Sequence, residues 1–172
     1  YTPHNKGMIS PAYGMGILAI RAKVDRETGH VEVRDVLVVH DCGQPINPLG
    51  VRGQVEGSIH MGLGYGLCEE MPMDQGMVLN PEFVDYKIIR TRDMPQIELV
   101  EVPTYEPNGP YGAKEAAEAT VAPTAPAVAN AVFQATGAEF YSNVLKPEKV
   151  LKAIREKEKK DKEKAASMAK SN

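Results

Sequence analysis

The sequence is poor in cysteine, and this scarcity excludes several kinds of metal site. Its two cysteines, Cys42 and Cys68, are too few to hold an iron–sulfur cluster or a cysteine-rich zinc ion. They are compatible with one disulfide and equally with a reducing compartment. The four histidines do not fill the gap, because none stands at metal-ligand spacing from another candidate ligand.

Long apolar runs and nucleotide-binding motifs are also missing. No segment approaches the roughly 18 apolar residues that a membrane-spanning helix needs. No Gly-Lys-Ser/Thr follows the glycines around Tyr65, so a phosphate loop is not predicted. The chain has no recognisable signal peptide and begins with Tyr1, from which we expect a processed or partial chain. We predict a cytoplasmic protein without a membrane span.

Charge is divided unevenly along the 172 residues. Nine Lys and Arg residues stand against four Asp and Glu residues from position 149 onward, although the whole chain has a formal net charge of −3. The body is therefore acidic and the tail basic, which argues against nucleic acid as a partner of the body. The hydrophobic fraction of 42% suffices for a core of one domain or slightly more.

Apolar periodicity predicts an α+β fold of antiparallel strands with helices packed on one side. Alternating apolar residues on both sides of a turn at residues 26–29 predict a hairpin, and "QIELVEV" predicts a further strand. Apolar residues at four-residue steps predict a helix over residues 49–70. A second helix is predicted to have Pro123 and Pro126 in its first turn and to end at Gly137.

Three regions are predicted along the chain. Residues 1–13 are rich in Pro, Gly and polar groups and predict an irregular arm, and residues 14–146 predict the main domain. Residues 147–172 predict a charged helix that docks by its first turns only, because apolar side chains occur only near its start.

The first predicted helix contains an unusual number of glycines. Each should cost about 1 kcal/mol relative to alanine inside a helix. So many indicate close approach of another backbone or of a ligand. The glycines are Gly53, Gly57, Gly62, Gly64 and Gly66.

Two glutamates stand among small residues in "GPYGAKEAAEATVAP", residues 109–123. A carboxylate in an apolar, water-poor pocket has a raised pKa and makes a good general base near neutral pH. Alternatively, Glu115 and Glu118 are simply the acidic residues of a helix start, where the helix dipole favours them. Composition does not decide between these interpretations.

Several ordered motifs together resemble the xanthine oxidase family of molybdenum hydroxylases. "DCGQPINPLGVRGQVEGSIHMGLGYGLCEE" resembles the family run D-x-G-x-x-x-N-P, G-Q-x-x-G and G-x-G-x-x-x-x-E. "GPYGAKEAAEATVAPTAPAVANAV" is similar to its G-A-K-x-x-x-E segment and following helix, and the hairpin carries a similar V-D-x-x-T-G turn. The resemblance covers residues 14–137 and implies the C-terminal part of a molybdopterin-binding subunit, with a K-E-A-x-E pattern near the 4-hydroxybenzoyl-CoA reductase branch.

The resemblance assigns roles to individual residues. It implies that Glu118 is the catalytic base beside the metal, which the pterin holds instead of protein side chains. Gln54 matches the glutamine that hydrogen-bonds the pterin, and Gly53 permits close approach. The backbone around Lys114 and Glu115 is expected near the cofactor.

The resemblance also implies an enzyme complex. We expect a molybdenum oxidoreductase that hydroxylates, or reductively dehydroxylates, an aromatic, heterocyclic or aldehyde substrate. The cofactor would be molybdenum–molybdopterin, with or without a cytosine dinucleotide, and a larger molybdopterin-binding chain would complete its site. The [2Fe–2S] clusters and FAD would belong to an iron–sulfur chain and a flavin chain. Two alternatives are a non-catalytic scaffold subunit of such a complex, favoured by Ala117 and Ala119 around Glu118, and an unrelated binding module.

Overall fold

The computed structural model describes residues 12–170, which form a small sheet backed by long helices. The strands are β1 Met15–Val24, β2 Val31–Asp41, β3 Met73–Asp74, β4 Met77–Val78 and β5 Gln96–Glu101. The helices are α1 Pro48–Leu67, α2 Phe83–Tyr86, α3 Glu118–Thr136 and α4 Pro147–Lys170, with 3-10 turns at Thr91–Asp93 and Pro110–Gly112. The α+β class is confirmed. Residues 1–11 of the predicted arm lie outside the described residues.

The predicted hairpin is confirmed, with β1 and β2 paired antiparallel. Asp25 shapes its turn, because its Oδ1 accepts hydrogen bonds from the backbone N–H groups of Glu27 at 2.8 Å and Thr28 at 3.2 Å. Gly29 then takes a φ of 77°, which a residue with a side chain rarely adopts. The strand pair therefore follows from local sequence alone.

The three-stranded sheet has the order β1-β2-β5, and β5 lies parallel to β2. The expectation of antiparallel strands needs this one correction. A parallel pair requires a crossover connection, and α1 with the β3–β4 hairpin supplies it between β2 and β5. The alternation of β5 predicts a strand but does not encode the direction of a distant partner.

The glycines at the end of α1 let α3 approach it closely. A Cβ on Gly62 would lie 2.4 Å from Thr124 Cβ, and one on Gly66 would lie 3.4 Å from Ala125 Cα. The expected close approach of another backbone is confirmed for Gly66, whereas Gly62 makes room for the Thr124 side chain. A Cβ on Gly53 or on Gly57 would meet nothing within 4 Å, so α3 does not explain them.

Helix α3 begins earlier than the sequence indicates. Its first residue is Glu118, so Pro123 and Pro126 lie inside the helix and not in its first turn. Each proline removes one backbone hydrogen bond, which is tolerated here because the helix packs along its length against α1 and β1. The predicted end at Gly137 is confirmed by its φ of 71°.

Helix α4 is confirmed as a helix whose first turns are the buried ones. Val150 and Ile154 are buried in the same cluster as Val36 and Val38 of β2. The side chains of residues 158–169 are exposed. The division of the chain at residue 147 stays a prediction. Across residues 12–170, no helix is both long enough and apolar enough to cross a membrane.

Candidate cofactor-binding site

Two loops are joined edge to edge at the end of the sheet, one between β2 and α1 and the other just before α3. Lys114 N donates to Cys42 O and Gln44 N donates to Gly112 O, each at 2.8 Å. Gly43 lies between these bonds with a φ of 69°, and a Cβ there would lie 2.3 Å from Gly112 O. The D-x-G and G-A-K motifs, about 70 residues apart in sequence, thus form one structural unit.

A largely buried ion pair stabilises this unit. Lys114 Nζ lies 2.5 Å from Asp41 Oδ2, and the two side chains are only 10% and 15% exposed. The other carboxylate oxygen of Asp41 accepts from Thr104 Oγ1 at 2.5 Å and from Gly43 N at 3.0 Å. Lys114 also donates to Tyr13 O at 3.3 Å. Two of the three donors of the Lys114 ammonium are therefore used by other described residues of the chain.

The surroundings of Asp41 keep it ionised. Burial disfavours its charged form, but the hydrogen bonds from Lys114, Thr104 and Gly43 outweigh burial and lower its pKa to about 2. The folded-state pKa lies below the ordinary value of 3.8. The ion pair is therefore intact at neutral pH.

The joined loops and the first turns of α1 line an open cavity of about 260 Å³. Its lining is mostly apolar and also holds three side-chain amides, one thiol and one lysine: Cys42, Gln44, Pro45, Ile46, Asn47, Gly50, Val51, Gln54, Ala113, Lys114 and Ala116. Burial raises the pKa of the Cys42 thiol, and the charge of Glu101 raises it further. The cavity therefore presents apolar surface together with a few uncharged hydrogen-bonding groups to a ligand.

Gln54 reaches this cavity because α1 begins at a fixed place. Asn47 caps the helix by accepting a hydrogen bond from Gly50 N at 3.0 Å, and Pro48 occupies the first turn. Gln54 is exposed, and its amide bonds to no other residue between positions 12 and 170. Gly53 is exposed beside it and does not line the cavity. Gln54 is thus free to bind a ligand.

Glu115 turns away from the cavity. Its carboxylate lies against the start of β1, since a Cβ on Gly14 would lie 1.9 Å from Glu115 Oε1. It is exposed and does not line the cavity. The structure therefore brings Gln54 and Lys114 together and leaves Glu115 at the edge of the loop.

Glu118 is the first residue of α3, two positions beyond Ala116 of the cavity lining. Its side chain is exposed, so the described residues do not by themselves build the water-poor pocket expected around it. Its place in the first helical turn is also the one that the helix dipole favours for a carboxylate. Both interpretations of this glutamate, base and helix start, are compatible with its position.

Two contributors to the site are not identified as site residues from sequence. Asp41 stands in the D-x-G motif, but only the fold shows that it pairs with Lys114. Thr104 has no motif signal, and it reaches Asp41 from the loop after β5. Such partners become visible only when segments about 60 or more residues apart are brought together.

Comparison with known proteins identifies the family. The family model described as "Molybdopterin cofactor-binding domain" matches residues 1–95, which include the cavity residues from the loop after β2 and from α1. The chain belongs to the molybdopterin-binding proteins of the xanthine oxidase family. This confirms the resemblance carried by the D-x-G and G-Q-x-x-G motifs.

Individual relatives of this molybdopterin-binding chain agree. It is 39% identical over 142 residues to the putative xanthine dehydrogenase molybdenum-binding subunit XdhA of Escherichia coli (strain K12), covering 81% of this chain and 19% of that protein. It is 33% identical over 149 residues to the nicotine 6-hydroxylase large subunit of Paenarthrobacter nicotinovorans, covering 84% and 18%. The aldehyde oxidoreductase of Desulfovibrio gigas superposes with a TM-score of 0.77 at 28% identity, covering 84% and 16%. The chain thus spans about a fifth or less of these relatives.

The residues present fit a pterin. The ring edge of a pterin carries amide and amine groups, and the unpaired Gln54 amide can bond to either kind. The open surface over Gly53 and Gly57 leaves room for a flat group or a backbone against α1. Lys114, a charged side chain of the lining, has its ammonium paired with Asp41.

Proposed function

We propose that this chain forms part of the active site of a molybdenum hydroxylase and supplies its catalytic base. The observation that carries the proposal is the joined-loop unit, which together with Gln54 of α1 lines one cavity. The last lining residue of this unit, Ala116, lies two positions before Glu118. Family membership supports the cofactor class. The role of Glu118 is our assignment.

In the proposed mechanism each segment has a distinct task. When bound, the molybdenum–molybdopterin group accepts the two electrons that leave the substrate. Gln54 hydrogen-bonds the pterin, Gly53 leaves space for it, and the backbone around Lys114 and Glu115 borders it. Glu118 takes up the proton released as oxygen from water is added to carbon. The overall change converts R–H and water into R–OH, two protons and two electrons.

The names of the relatives support a proposal for the substrate class and the partners. Their names refer to xanthine, nicotine and aldehyde, so we propose an N-heterocyclic, aromatic or aldehyde substrate, with reductive dehydroxylation as the reverse direction. We propose that a larger molybdopterin-binding segment completes the site. Iron–sulfur and flavin chains would carry the electrons away through [2Fe–2S] clusters and FAD. We further propose that the pterin is present with or without a cytosine dinucleotide.

Glu118→Gln tests the proposal in the complex as it co-purifies with its partner chains. Because the amide cannot accept the proton, kcat should fall at least about 100-fold on xanthine, nicotine or an aldehyde, whichever the wild type turns over. Molybdenum and pterin content should stay at the wild-type level, since the side-chain volume is unchanged. Steady-state kinetics and metal analysis measure the two quantities.

Glu139→Gln is the matched control, because Glu139 is exposed just beyond the other end of α3. It should leave kcat unchanged. The scaffold alternative is supported by the exposure of Glu118 and by alanine, not glycine, at position 117 with a φ of 106°. If Glu118→Gln stays within tenfold of wild type in a loaded, active complex, the scaffold function replaces the catalytic one.

A further inference from the structure

We propose that Thr120 is a positioning residue, whose hydroxyl fixes the peptide from which Glu118 projects. The inference rests on the proposed function in one respect, namely that Glu118 is the base whose position matters. It concerns buried contacts of α3 that none of the motifs includes. Thr120 and its partner Ser58 are both fully buried.

The first step of the argument is the peptide unit between Ala117 and Glu118. The carbonyl of Ala117 and the N–H of Glu118 belong to one rigid plane. Thr120 holds this plane twice, because its backbone N–H donates to Ala117 O at 2.8 Å and its Oγ1 donates to the same oxygen at 2.6 Å. Fixing Ala117 O therefore fixes the direction in which Glu118 leaves the backbone.

The second step is the need for such an anchor. Helix α3 has no side-chain cap, since its N-cap residue is Ala117. That alanine has a φ of 106° and a ψ of −50°, a conformation that costs a residue with a Cβ about 1–3 kcal/mol. A strained, uncapped helix start tends to relax unless its surroundings hold it. The Thr120 hydroxyl is the side-chain group that holds it here.

The third step links Thr120 to the helix that carries Gln54. Thr120 Oγ1 is hydrogen-bonded to Ser58 Oγ, which also lies 2.8 Å from Val55 O. Each hydroxyl has a single proton. If Thr120 donates to Ala117 O, Ser58 must donate to Thr120, and Val55 O keeps its helical N–H partner. Ser58 lies one turn after Gln54, so the contact connects the proposed pterin ligand to the proposed base.

The fourth step is that Thr120 is packed tightly by its neighbours. A Cβ on Gly16 of β1 would lie 2.7 Å from Ala119 O and 3.1 Å from Thr120 Cγ2. On the other side, Thr124 fills the space beside Gly62 of α1. The first turns of α3 are thus held between the sheet and α1. The Thr120 hydroxyl, which is fixed in this way, holds the Ala117 peptide through its hydrogen bond.

The test uses Thr120→Val and Thr120→Ser in the complex with its co-purifying chains. Valine keeps the shape and removes the hydroxyl, so kcat should fall about 10- to 100-fold while KM changes less than about threefold. Hydrogen exchange of the backbone amides over residues 113–121 should speed up in the same variant, whatever the activity. Serine restores the hydroxyl and should bring both quantities back to within about threefold of wild type.

Thr124→Val is the matched control, because Thr124 is equally buried and its hydroxyl donates to Thr120 O at 2.6 Å, inside the helix. It should leave kcat and the 113–121 exchange rates near wild type. Equal exchange rates and equal kcat in Thr120→Val and Thr124→Val would overturn the positioning role. If Thr120→Val shows the expected faster exchange but Glu118→Gln keeps full activity, the positioning contact stands and the proposed function is contradicted.

Discussion

At the scale of single residues, Ala117 shows how a site can conflict with local preference. Its φ of 106° lies in the region that favours glycine, and the residue is 7% exposed. The conformation turns the chain from the joined loops into α3 and presents Glu118 at the first helical position. The strain is thus located at the point where the proposed base is aimed.

Ala117→Gly should relieve this strain. Relief of about 1–3 kcal/mol is opposed by the lost methyl burial, about 0.8 kcal/mol, and by glycine entropy, about 0.5–1 kcal/mol. The free energy of unfolding should therefore rise by about 0.5 kcal/mol. The same change at Ala122, which is exposed inside α3, should lower it by about 1 kcal/mol. Urea unfolding measures both, and a loss of stability at position 117 equal to that at 122 would contradict the assignment of strain.

At the scale of elements, the joined loops depend on the Asp41–Lys114 ion pair. Lys114→Met should lower the free energy of unfolding by about 3 kcal/mol, because it leaves the largely buried Asp41 charge without its partner. Asp41→Asn should cost about 2 kcal/mol, and the double variant should cost less than the sum by about 1–2 kcal/mol. Urea unfolding of the four proteins at neutral pH measures this coupling. Strict additivity would show that the pair contributes nothing as a pair.

The Asp41–Lys114 ion pair makes the free energy of unfolding depend on pH. The Asp41 pKa is about 2 in the folded chain and 3.8 as the ordinary value, so its contribution is complete above pH 3.8 and is lost as the pH falls through about 2. The stability gap between wild type and Asp41→Asn should therefore shrink by about half near pH 3. A gap that stays constant down to that pH would show that Asp41 is not the titrating group.

Sequence predicts those elements whose signals are local. The hairpin, the glycine-rich helix and the end of α3 at Gly137 follow from alternation, four-residue steps and a capping glycine. The direction of β5 and the early start of α3 do not, because the first depends on a crossover and the second on packing against β1 and α1. The family resemblance implies that Gln54 and the backbone around Lys114 lie near one cofactor, and both residues line one cavity. The Ser58–Thr120 contact has no such signal, because it joins residues 62 positions apart.

At the scale of the whole molecule, one segment leaves several large apolar side chains uncovered. The segment around β3, β4 and α2 exposes Met71, Met73, Met77, Leu79, Phe83 and Val84, each by more than half. Phe83 and Val84 also line an open groove of about 1210 Å³. Large exposed apolar surfaces mark interaction sites or aggregation-prone regions of soluble proteins. The observation agrees with the short span of this chain relative to the proteins that it matches.

The chain expressed alone should therefore self-associate and bind a hydrophobic dye. Phe83→Ser combined with Val84→Lys should lower both the dye fluorescence and the associated fraction by about half, because it removes the two most exposed apolar side chains of the patch. Tyr141→Ser is the matched control, since Tyr141 is 89% exposed but lies outside that segment, and it should change neither quantity. Size-exclusion chromatography with light scattering measures association. A monomeric wild-type chain, or equal effects of the patch and control variants, would show that the exposed segment does not drive association.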